Sequence, residues 1–144
     1  MTEISSLLYV KNGLKELLIP LGFNQSINGV KFPDALESLD LSESFNQNID
    51  NVIFPHGLER LIFGSYFNQP IDYLPENLRQ LYLCNENYQY PINSLPDSIE
   101  YLVYYGNNEI TRLPKKLKYL CCKKKIRDSL MDIMDTSGIQ IETI

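Results

Sequence analysis

The chain has 144 residues, 44% hydrophobic and 22% charged, with a formal net charge of −5. This is the balance of one folded domain with a continuous core, not of a disordered chain. No apolar run approaches the roughly 18 residues of a membrane-spanning helix, and Met1–Ser6 lacks the basic region that opens a signal peptide. The three cysteines, an odd count, do not suit a disulfide framework and point to a reducing, cytoplasmic compartment. Charge is polarised along the chain: residues 1–111 carry 5 basic and 14 acidic side chains, whereas residues 112–144 carry 8 and 4.

Taken in chain order, residues 1–13 are expected to form an N-terminal cap built on the apolar stretch Ile4–Val10. Leu14, Leu17 and Ile19, followed by Pro20, read as a truncated first coil, and from there the chain repeats itself. Phe23, Phe45 and Phe67 stand 22 residues apart, each opening a Phe-Asn-Gln triplet with Ile27, Ile49 or Ile71 four residues on. Pro33, Pro55, Pro75, Pro96 and Pro114 each precede an apolar triad spaced Leu-x-x-Leu-x-Leu. The triads are Leu36/Leu39/Leu41, Leu58/Leu61/Phe63, Leu78/Leu81/Leu83, Ile99/Leu102/Tyr104 and Leu117/Leu120/Cys122. The later repeats shorten to about 21 and then about 18 residues, the loss falling between Tyr104 and Ile110.

Self-similarity at this period predicts a repeat solenoid over residues 14–122. The expected form is a leucine-rich-repeat-like right-handed coil with one curved parallel β-sheet and an irregular convex side. The last four triad positions alternate apolar and variable, as a short strand with one buried face requires. The proline, lacking an N–H, belongs where the chain turns into the strand. Phe23, Phe45, Phe67 and Tyr88 should point inward, with Ile27, Ile49, Ile71, Ile92 and Ile110. No coil buries that face alone; stacking supplies the burial.

An amide column runs beside the aromatics: Asn24, Asn46, Asn68, Gln89 and Asn107. A row of amides could hold a ligand, but recurrence in every coil assigns these residues to the scaffold, as buried caps for backbone groups freed at each bend.

Residues 123–144 break the pattern and read as a C-terminal cap. Ile126, Leu130, Ile133 and Met134 fall on one helical face, predicting a helix over about 126–136 that Gly138 ends. Ile139, Gln140 and Ile141 resume strand alternation, predicting a final strand over about 139–143.

The variable residues between the triad leucines point out of the sheet. Ile62, Tyr82, Val103 and Cys121 make an apolar row across four neighbouring strands, flanked by Tyr101, Tyr105 and Tyr119. Such a row is either a contact surface or cross-strand stacking that stabilises the sheet. As a contact surface it would bind a partner protein or a second copy of the chain; a carbohydrate or other small ligand on the tyrosines is a third possibility.

No catalytic residue, cofactor or metal is expected. The one histidine, His56, occupies a turn position that holds Asp34, Glu76, Asp97 or Lys115 in other coils. No Cys/His spacing suits zinc, and no glycine-rich loop precedes a helix to cradle phosphate. Nucleic-acid binding has only Lys115, Lys116, Lys118, Lys123, Lys124 and Lys125 in its favour, against an acidic remainder.

The run Phe67-Asn68-Gln69-Pro70-Ile71, with Leu74-Pro75 and Leu78-x-x-Leu81 behind it, resembles the FNIP repeat family, and the likeness extends over about residues 14–122. That resemblance implies a leucine-rich-repeat-like solenoid used for protein interaction in the cytoplasm, as in amoebae or in cells infected by giant DNA viruses. Some members carry an N-terminal F-box; the dozen or so residues ahead of the first coil here are too few for one.

Overall fold

The computed structural model describes residues 13–144. Seven strands form one parallel sheet in sequence order: β1 (Glu16–Leu18), β2 (Ser38–Asp40), β3 (Arg60–Phe63), β4 (Gln80–Leu83), β5 (Tyr101–Tyr104), β6 (Tyr119–Cys122) and β7 (Gln140–Thr143). One helix, α1 (Lys124–Ile133), lies between β6 and β7. The cap expected from Ile4 to Val10 lies outside the described residues.

Register follows the repeat. Leu17, Leu39, Leu61, Leu81, Leu102, Leu120 and Ile141 stand side by side across the sheet. The five central leucines of this column are fully buried, while Leu17 and Ile141 at its two ends are only partly covered. Each central strand is therefore sealed by the coil on either side, which is why a strand of three or four residues suffices.

The prolines act one step before the strand. In every full coil the proline carbonyl accepts from the N–H three residues on, the first triad residue: Leu36, Leu58, Leu78, Ile99 and Leu117. This closes a tight turn and leaves the proline nitrogen outside the ladder. Behind the strands Phe23, Phe45, Phe67 and Tyr88 stack nearly parallel at 6.1–6.4 Å between ring centres.

The shortened coil solves its own problem. Gly106 takes the position where earlier coils carry the aromatic, and a Cβ there would collide with the Tyr104 ring. Tyr104, the last triad residue of β5, fills the vacated space, meets Tyr88 edge-on at 6.4 Å and accepts from the Asn108 N–H through its hydroxyl. A second close approach occurs at Gly64, whose missing Cβ would overlap the Ser42 carbonyl and Glu43 Cα of the preceding coil. Backbone faces backbone there, so no rotamer change relieves the clash. Gly64→Ala should cost about 2–3 kcal/mol by overpacking, read as a lower urea midpoint; an unchanged midpoint would show that the coils can separate freely.

The C-terminal cap departs from its sequence pattern in three ways. The helix spans Lys124–Ile133 rather than about 126–136, because the extended Lys123 accepts from the Ile126 and Arg127 N–H groups and so admits Lys124 and Lys125 to the first turn. It ends where Met134 turns extended, and the following bend is closed by Asp135, whose carboxylate accepts from the Ser137 N–H at 2.9 Å. Gly138 lacks a positive φ and does not end the helix. Finally, Ile126 and Leu130 are buried and Met134 packs against the core beyond the helix, which leaves Ile133 turned outward at 52% exposure.

Candidate interaction surface

The outward side chains fall into two rows across the strands. One reads Glu16, Ser38, Arg60, Gln80, Tyr101, Tyr119, Gln140; the other reads Leu18, Asp40, Ile62, Tyr82, Val103, Cys121, Glu142. Tyr105 follows β5 on the same face and, like Ile62, Tyr82, Tyr101 and Tyr119, is half-buried.

The apolar row is not uniformly open. Val103 and Cys121 are only 7% and 8% exposed. Tyr101 and Tyr119 stack at 4.1 Å with their planes 8° apart, and Tyr82 leans on Tyr101 at 5.7 Å. The phenol rings, longer than the neighbouring side chains, make the surface of this half of the sheet. Arg60 lays its guanidinium over the Tyr82 ring, 5.1 Å from its centre, a cation–π pair.

The tyrosine cluster is tied to an acidic edge. The Tyr119 hydroxyl donates to the Glu142 carboxylate at 2.7 Å, and this bond to an anion raises the phenol above its ordinary range. Burial, with smaller contributions from Cys121, Cys84, Glu86 and Tyr101, raises Tyr105. At the other side of the cluster burial raises the Cys84 thiol, and the Glu43 and Asp40 carboxylates add to it. Burial also pushes Cys122 up to about 11, so this thiol stays protonated at neutral pH. All three cysteines are free.

Charge is handled differently one position further out. Lys15, Glu37, Glu59, Arg79, Glu100 and Lys118 occupy the same place in successive coils. Four ion pairs link them: Lys15–Glu37 at 2.7 Å, Arg79–Glu59 at 3.8 Å, Arg79–Glu100 at 3.0 Å and Lys118–Glu100 at 2.6 Å. The hydrogen bond from Lys118, with that from Arg79, holds the Glu100 carboxyl below its usual range. This compensated row, and the Glu142 edge, escaped the sequence reading. A charged residue of one sign or the other at a fixed offset in every coil was the available signal.

The amide column forms a hydrogen-bonded ladder. The side-chain carbonyl of Asn24 accepts from the Asn46 N–H at 2.9 Å, that of Asn46 from the Asn68 N–H at 2.8 Å, and that of Asn68 from the Gln89 N–H at 2.9 Å. Gln47 and Gln69 reinforce it by donating to the same Asn oxygens. The amides are half-buried or exposed rather than buried, since they bridge coils along the surface. Asn107 stands outside the ladder and donates instead to the Glu86 carbonyl. Asn46→Leu removes the acceptor for two donors and should lower stability by about 1–2 kcal/mol; an unaltered melting temperature would deprive the ladder of any structural weight.

The C-terminal lysines do not make an open cationic patch. Lys115 and Arg112 pair with Asp97, Lys118 with Glu100, and Lys124 and Arg127 with Asp128. Lys123 donates to Asn107 and to the Glu86 carbonyl. Lys116 and Lys125 alone of the six have no such partner among the described residues. His56 is exposed, and its backbone carbonyl accepts from Asn77. Among the described residues no three His, Cys, Asp or Glu side chains converge as metal ligands, and no helix is long and apolar enough to cross a membrane.

No curated protein matches the chain. The architecture is similar to the crystal structure of CroV588, described as a novel circular LRR protein, at a TM-score of 0.53 and 24% sequence identity. That alignment covers 92% of this chain and 27% of CroV588, so the chain spans about a quarter of that protein's length. The similarity is one of fold: both are leucine-rich-repeat-like solenoids. The FNIP Repeat family matches residues 23–66 and 67–103, the stretches that hold the stacked aromatics, the Asn ladder, the β2–β4 triads and the first two triad residues of β5. With more than half of its length so matched, the chain belongs to the FNIP-repeat family.

Proposed function

We propose that this protein is a non-catalytic interaction module that binds a partner protein through the exposed face of its sheet, in the cytoplasm. The observation that carries this reading is the cluster of Tyr82, Tyr101, Tyr105 and Tyr119, large rings gathered on a face built of rigid short strands. Tyrosine is enriched at interfaces and at their energetic centres, and strands hold such a surface with little ordering cost. Ile62 and the covered Val103 and Cys121 support the rings from below. Three free thiols favour a reducing compartment. Affinity capture from the native cell with the parent chain, set beside a variant altered at the tyrosines, tests the assignment; equal recovery of the same partner by both would move function off this face.

Self-association is a second reading, favoured by the charge polarity of the chain and by the exposed Met131, Ile133 and Ile144 near its C-terminal end. Contact between oppositely charged ends should weaken with salt, because screening shortens to about 3 Å at 1 M, whereas apolar contact should persist or strengthen. Sedimentation at low and high salt separates the two, and monomers at both would remove the oligomer. A carbohydrate platform is disfavoured, since Tyr101 and Tyr119 cover each other's faces.

A further inference from the structure

We infer that the segment recognised by the sheet face is an extended peptide of about eight residues with Lys or Arg near each end and apolar residues between. This deepens the proposal above and rests on it.

The face and its rim carry Glu16, Asp40, Glu43, Glu86 and Glu142, none with a cationic side-chain partner among the described residues. The neighbouring row shows the contrast: Glu37, Glu59 and Glu100 are each matched to a Lys or Arg. Of the two cations at the face, Lys123 is held by Asn107 and the Glu86 carbonyl, and Arg60 is seated on Tyr82. The Arg60–Tyr82 pair is an internal precedent for what the surface accepts, a guanidinium over a tyrosine ring. Uncompensated negative charge around an aromatic centre complements a basic ligand whose stems pack along the exposed ring edges.

Spacing sets the pattern. Carboxylates stand towards both ends of the outward row, Asp40 on β2 and Glu142, bonded to Tyr119, on β7. β2 and β7 are five strand steps apart, or about 24 Å at 4.8 Å per step. An extended chain rises about 3.3 Å per residue, so two basic groups roughly seven residues apart reach both ends. The intervening residues cross Tyr82 and Tyr101, where alternate side chains meet the rings.

The test uses the full chain and three fluorescein-labelled peptides read by anisotropy. The first is Arg-Arg-Ser-Leu-Ser-Leu-Ser-Arg-Arg; the second, of the same composition, is Ser-Leu-Arg-Arg-Arg-Arg-Leu-Ser-Ser; the third replaces each Arg of the first by Glu. The first should bind at least about tenfold more tightly than the second, lose affinity with salt, and leave the third unbound. Asp40→Asn with Glu43→Gln, and separately Glu142→Gln, should each weaken it several-fold, while Glu109→Gln on the convex side should not. These variants keep their hydrogen-bond acceptors, and matching melting curves confirm intact folding. Equal binding of the two basic peptides, no binding of either, or indifference to the carboxylate variants overturns the inference. If the tyrosine variant still loses the native partner in those cases, the face remains the interface and only its ligand rule fails. If the tyrosine variant instead dissolves a dimer, the occupant is a second copy.

Discussion

Removal of residues 124–144 is expected to leave a chain that aggregates. β7 pairs with all four residues of β6, placing Ile141 beside Leu120. Ile126 and Leu130 of α1 are buried in the same cluster as Leu117, Leu120 and Cys122. Deleting them withdraws roughly 1.5–3 kcal/mol for each buried aliphatic side chain and opens β6 as an uncapped edge, a template for strand pairing between molecules. Total stability of a domain this size is about 5–15 kcal/mol, so the loss is a large share of it. Size-exclusion chromatography with light scattering, together with circular dichroism, reads the outcome. A truncated chain that elutes as a monomer with the parent's melting curve would make the helix and last strand dispensable.

Tyr82→Ser combined with Tyr101→Ser is expected to abolish partner binding while the protein remains folded. Both side chains are half-buried on the outer face, and the inward leucines of β4 and β5 are untouched. The lost Tyr82–Tyr101 and Tyr101–Tyr119 stacks should cost about 1–2 kcal/mol of stability. Truncating two central aromatics should cost at least about 2 kcal/mol each in binding, which compounds to a loss of about a thousandfold. Tyr73→Ser, exposed beside Phe54 and Pro75 away from the sheet face, is the matched control and should bind as the parent does. Full affinity in the double variant would send the search to the convex side, where Ile53 and Tyr73 are exposed beside a groove lined by Phe54, Pro55 and Pro75.

Tyr101, not Val103, presents the accessible surface of β5, and only the structure shows it. Alternation alone puts Val103 outward, and it is outward; but the flanking rings close over it, so an Asp there would be both a buried charge and a lost contact. Periodicity reports the side of a strand, not the height of its neighbours. The same limit explains Tyr104. Its triad position is plain in the sequence, but its second task, filling the space at Gly106, depends on a turn too short to hold an aromatic of its own.

Elsewhere the repeat carried most of the fold openly. Triads, prolines, aromatic column and parallel order all follow from one spacing, because each coil must match the next. The cap was legible as helix then strand, the strand within a residue of its observed bounds, but not in the bounds of the helix. Those rest on Lys123, Met134 and Asp135, whose backbone conformations no hydrophobic period encodes. The amide ladder was visible as a column; that its members lie on the surface and that Asn107 falls out were not, since bridging and burial leave the same trace in a sequence.

The strict sequence order of the sheet has a mechanical consequence. β1 and β7 occupy opposite edges, so tension applied between the two described ends pulls along the stacking direction and in line with the inter-strand hydrogen bonds. Strands then part by unzipping, a few bonds at a time, rather than by shearing a whole interface together. Each rupture releases one coil of 22 residues or slightly fewer, roughly 70 Å of slack at the extended length of about 3.3 Å per residue. Under load such a protein lengthens as a low-force staircase, yielding coil after coil while the coils not yet reached keep their packing.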